Sequence, residues 1–177
     1  MIAFKGLAKK LDVSPAKLRE AVEGVKNRAL DRAVGDGTIT QDERDAIAAC
    51  MKSHGGSGCD RAKAMAAHRK LHQAFEARAK SDAAGLKAQA IDDLAAELGK
   101  QPADVEAAMR AELSDMLDTA VTMGFITDKG RELALGCFDK PNECDRGALR
   151  AEVKKRFRGH GPHGHHGPGG RRGPGHP

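Results

Sequence analysis

The chain has 177 residues, enough for one ordinary domain or two small ones, and its 40% apolar share comes with only 3% aromatics and no Trp or Tyr. Much of that share is Ala, and the scarcity of β-branched and aromatic residues points away from sheet, toward a helical fold with a thin core that would gain from cross-links. Net charge is +5 but uneven: residues 1–35 carry +4, residues 91–125 carry −6 and the last twenty carry +3, which excludes a uniformly basic nucleic-acid binder. Oppositely charged stretches of this kind attract each other within a chain, or between chains as a homo-oligomer.

No apolar run approaches the roughly 18 residues of a membrane span. The start, Met1-Ile2-Ala3-Phe4-Lys5-Gly6, lacks the apolar stretch of a signal peptide, so the sequence reads as either a cytoplasmic protein or a mature exported form.

In chain order, Phe4, Leu7, Ala8 and Leu11 form the apolar stripe of a short first helix. Ser14-Pro15 restarts the chain, with Ser14 placed to cap and Pro at the first helical position. The second helix is long, with Leu18, Val22, Val25, Ala29 and Ala33 on one face, and Gly37 ends it. Thr40-Gln41-Asp42-Glu43 is a capping box that opens a third helix ending near Cys50. A Gly- and Ser-rich loop follows, and Asp60 caps a fourth helix that runs toward residue 79. Polar Lys80-Ser81-Asp82 predicts a break, although a single continuous helix across it is the competing expectation.

The same order then recurs. Shifted by 87 residues, the sequence matches itself without a gap from Leu7 to Cys50. Leu7, Ala8 and Leu11 fall on Leu94, Ala95 and Leu98, and Pro15, Ala16 and Ala21 on Pro102, Ala103 and Ala108. Leu30-Asp31 falls on Leu117-Asp118, Ile39-Thr40 on Ile126-Thr127, and Cys50 on Cys137. After a two-residue deletion, Cys59-Asp60-Arg61 falls on Cys144-Asp145-Arg146. The expected architecture is therefore all-α, a tandem duplication of a four-helix unit over residues 1–80 and 81–157, with a disordered tail over 158–177. In the second copy Gly130 stands where the capping box wants Glu.

Four cysteines form two pairs that flank the same loop in each copy. The repeat favours local bridges, Cys50–Cys59 and Cys137–Cys144, each stabilising by roughly 2–3 kcal/mol. The rival readings are free thiols or a metal site: His54 between Cys50 and Cys59 offers a third ligand, but the second copy has no His there. Disulfides imply an oxidising compartment, hence an extracytoplasmic or secreted protein whose signal has been removed.

Other candidates are scattered. The tail holds His160, His163, His165, His166 and His176, imidazoles able to bind Zn, Cu or Ni, beside three Arg that would also favour an anionic envelope surface. His68, His72 and Glu76 lie four apart on one helical stripe, the spacing of helical metal sites, with a solvated polar face as the plainer reading. Asp36-Gly37-Thr38-Ile39-Thr40 resembles the centre of a calcium loop, but Arg32 would then occupy the first ligand position. Each unit opens like a helix-turn-helix, with Ala8, Asp12 and Leu18 in the first copy and Ala95, Gly99 and Val105 in the second. Lys17 and Arg19 would face nucleic acid, but the second copy places Asp104 and Glu106 there, which phosphates repel. No nucleophile with a partner His and acid, and no phosphate-binding Gly loop, points to an enzyme.

These motifs resemble a family of exported bacterial helical-repeat proteins of unknown function, with the pattern Leu-Ala-x-x-Leu-Gly-Val-Ser and later Leu-Asp-x-Ala-Val-x-x-Gly-x-Ile-Thr. Here it reads Leu7-Ala8-Lys9-Lys10-Leu11-Asp12-Val13-Ser14, then Leu30-Asp31-Arg32-Ala33-Val34-Gly35-Asp36-Gly37-Thr38-Ile39-Thr40. Asp12 departs from the Gly of that pattern. The resemblance covers both copies but not the tail. It implies a helical fold and export, and no particular activity.

Overall fold

The computed structural model describes residues 2–53 and 58–157, so His54 and the five tail histidines lie outside the described residues. The described residues form eight α-helices and no strand. They are α1 (Ile2–Lys10), α2 (Pro15–Gly35), α3 (Gln41–Lys52), α4 (Arg61–Ser81), α5 (Ala83–Leu98), α6 (Pro102–Thr122), α7 (Asp128–Asp139) and α8 (Arg146–Phe157), with a 3₁₀ turn over Pro141–Glu143 before α8.

Side-chain caps set most of the boundaries. Ser14 Oγ accepts from the Lys17 N–H at 3.1 Å, ahead of Pro15 at the start of α2. Thr40 and Glu43 complete a reciprocal capping box at α3. Asp60 accepts from Lys63 at 2.9 Å and Asp145 from Ala148 at 2.8 Å. Between α4 and α5 a single residue, Asp82, leaves the helical conformation. Its N–H still bonds Arg78 O, while its carboxylate caps Gly85 at 2.8 Å. The chain therefore turns there and does not run on as one long helix. Gly37 at φ +76° and Gly124 at φ +74° end α2 and α6 in the left-handed region that glycine enters without steric cost.

The main core joins the first helices of the chain to its middle. Ala8, Leu11, Leu18 and Ala21 pack with Ile91, Leu94, Ala95, Leu98, Val105 and Ala108 in one buried cluster. Helix α2 lies along α5, and α1 along α6. A second, smaller cluster of Leu30, Ala33, Ile39 and Ala67 joins α2 to α4. The apolar face of α2 is not one straight stripe. It moves from Leu18 and Ala21 to Leu30 and Ala33, leaving Ala29 exposed and Val22 and Val25 half-buried. The change in partner from α5 and α6 to α4 explains the drift.

The oppositely charged stretches meet inside the chain. Lys10 on α1 bonds Asp115 at 2.6 Å and lies 3.3 Å from Glu112, both on α6. Arg28 on α2 reaches Glu97 on α5 at 2.8 Å, and Arg32 grips Asp93 with two bonds of 3.0 and 2.6 Å. No helix of the described residues is long and apolar enough to cross a membrane.

Candidate functional site

Both cysteine pairs are closed as local disulfides. Cys50–Cys59 ties the last turn of α3 to the start of α4 with a Cα separation of 4.8 Å, and Cys137–Cys144 ties α7 to the segment before α8 at 4.5 Å. These bridges occupy all four cysteines of the chain.

Beside the first bridge is an open concavity of about 330 Å³. Its wall includes Ile47, Met51 and the Cys50 end of the bridge from α3, with Ala64, Met65 and His68 from α4. Arg61, the first residue of α4, closes one side. Met51 and Met65 are 42% and 52% exposed, so their thioethers are open to solvent in the concavity. The geometry divides the predicted His68, His72 and Glu76 trio. His72 Nδ1 lies 3.8 Å from Glu76 Oε1, an exposed pair, whereas His68 lines the concavity with the methionines. Among the described residues no three His, Cys, Asp or Glu side chains gather closely enough to hold a metal ion.

Lys17 and Arg19 are exposed near the start of α2, as nucleic-acid contact would require. At the matching turn of α6, Asp104 and Glu106 present the opposite sign, and Glu106 pairs with Lys87. In the calcium-loop-like turn, Asp36 Oδ1 accepts from both the Thr38 N–H at 3.0 Å and its hydroxyl at 2.6 Å. Those bonds, the side-chain one first, hold the Asp36 carboxyl below its ordinary range. The bond from the Lys70 ammonium, and then the Thr40 N–H, do the same to Glu43. Arg110 does it to Asp139. Each shift favours the ionised form of a group already held in a hydrogen bond, the signature of structural pairing.

Sequence spacing singled out His68 but not its methionine neighbours. The signal was present: Met65 is three residues before His68 on the same helix, and Met51 follows a bridged cysteine. What spacing could not supply was the pairing of α3 with α4 that brings Met51 to them.

Compared with protein-family models, curated proteins and solved structures, the chain matches none.

Proposed function

We propose that this chain is a non-enzymatic binding protein of an oxidising, extracytoplasmic compartment. It is a tandem duplicate of a four-helix unit, stapled twice and carrying a His-rich tail that holds Zn, Cu or Ni. The observation that carries the binding reading is the tail itself: five histidines, three arginines and no acid within twenty residues rich in Gly and Pro. Neutral imidazoles in that density are ligands for borderline metals. The closed disulfides support the compartment.

Positions 87 residues apart support the duplication. Leu18 and Val105 match, and among the described residues they are the two largest side chains that are fully buried. Asp31–Arg44 and Asp118–Arg131 match as ion pairs between consecutive helices. Thr40 and Thr127 both cap the helix that follows them.

Isothermal titration of Zn²⁺, Cu²⁺ and Ni²⁺ into the full chain tests the reading, against a full-length variant with His160, His163, His165, His166 and His176 changed to Gln. Saturable heats in the parent that vanish in the variant support it. Equal, negligible heats in both remove it. The tail's unbalanced arginines favour a second ligand, an anionic envelope surface. Co-sedimentation with anionic vesicles should then strengthen as pH falls through the imidazole range and the tail gains charge.

A further inference from the structure

We propose that Met51, Met65 and His68 form a binding site for a soft monovalent metal ion, Cu(I) or its redox-silent analogue Ag(I). All three line the one concavity beside the Cys50–Cys59 bridge. Met65 and His68 are three apart on α4 and so share a face. Met51 comes from α3, and its neighbour Cys50 is fixed to the entry of α4 by the bridge, so the third ligand is held against the other two by a covalent clamp.

The choice of ion follows from the donors. Two thioethers and an imidazole are neutral and soft to borderline, the donors that suit Cu(I) and not Mg²⁺, Ca²⁺ or Mn²⁺. Among the described residues no carboxylate lines the concavity to offset a second positive charge. Arg61 does line it, and its repulsion of a divalent ion is about twice that of a monovalent one at equal distance. Because all four thiols are consumed in bridges, thioethers are the sulfur ligands this chain has left. The second half of the chain lacks the set. The position matching Met51 is Phe138, whose ring lies under Lys87, and those matching Met65 and His68 are Arg150 and Val153. The site therefore belongs to the first half alone.

This inference deepens the metal-binding reading above, naming a softer ion and a site on the folded part. Its test is read at different atoms from the tail. Full-length oxidised protein carrying ¹³C-methyl methionine is titrated with silver nitrate. The expected result is saturable movement of the Met51 and Met65 methyls together with the His68 ring. Met116 and Met123, also exposed and distant in sequence, serve as internal controls and should stay in place. Met51→Leu and Met65→Leu, which keep volume and apolarity, should each weaken binding at least about tenfold without changing the melting temperature. Stationary Met51 and Met65 methyls, or movement shared equally by all exposed methionines, would overturn the proposal. Tail binding shows separately at the tail imidazoles, so either reading can fail without the other.

Discussion

Two matching positions show what a single residue decides. Asp12 and Gly99 occupy the same turn in the two halves, and both are left-handed, at φ +52° and +64°. Glycine enters that region freely, whereas a residue with a Cβ is strained there by roughly 1 kcal/mol. Asp12→Gly should therefore raise stability by about 0.5–1 kcal/mol, and Gly99→Ala should lower it by about 1 kcal/mol, although a Cβ at Gly99 would meet nothing within 4 Å. Chemical denaturation of both variants checks the sign. Charge works at the same scale. Glu43 is held below its ordinary range first by the Lys70 ammonium, then by the Thr40 N–H. A carboxylate depressed in the folded state adds stability above its unfolded value and loses it as pH falls through the folded one. In Lys70→Met, Glu43 should titrate at higher pH by carboxyl ¹³C shift, yet stay below ordinary because the Thr40 bond remains. Acid unfolding should begin at correspondingly higher pH.

Helices here are short or Ala-rich, so their ends and ties matter more than their propensity. Replacing both cysteines of one bridge by Ser reopens a loop of nine or seven residues of separation. Each double variant should lose about 2–3 kcal/mol, or roughly 5–10 °C of melting temperature for a chain of this size. Scanning calorimetry with and without reductant measures it, and a fully reduced parent should match the four-Ser chain. The same local logic explains what was legible in the sequence. Caps and stops are read within four residues, so Ser14, Thr40, Asp60 and Gly37 marked true boundaries, and the break at Asp82 was visible as a polar interruption. Interactions that skip along the chain were not legible. Gly130 offers Thr127 no carboxylate of its own helix, and the Thr127 hydroxyl donates instead to Glu152 on α8, 25 residues away. The α3–α4 concavity escaped for the same reason: Met51 joins Met65 and His68 only through packing, which periodicity within one helix cannot report.

At the scale of the whole molecule, the interface between the halves is written in charge as well as in apolar residues. Helix α1 meets α6 and α2 meets α5, so position 10 faces 115 while its match, position 97, faces 28, the match of 115. The apolar residues at this interface are near copies: Ala8 with Ala95, Leu11 with Leu98, Ala21 with Ala108. Burial alone would hardly distinguish one half from the other as a partner. The charges do distinguish them. The first half presents Lys10 and Arg28, and the second presents Glu97 and Asp115. Two first halves pressed together the same way would set Lys10 against Arg28, and two second halves would set Glu97 against Asp115. Only the mixed pairing neutralises both contacts, and the bidentate Arg32–Asp93 pair reinforces it. Reversing one side, as in Lys10→Glu with Arg28→Glu, should lower the melting temperature at low ionic strength, because three attractions become repulsions between partly exposed groups. Much of that loss should disappear in about 1 M salt, where the screening length falls to about 3 Å. Adding Glu97→Lys and Asp115→Lys should restore much of the melting temperature, since the 10–115 and 28–97 contacts are again opposite in sign and only the approach of position 10 to Glu112 stays repulsive. Thermal melts of the three proteins across a salt series decide it: a double variant as stable as the parent at low salt would show that the charges of Lys10 and Arg28 do not select the pairing.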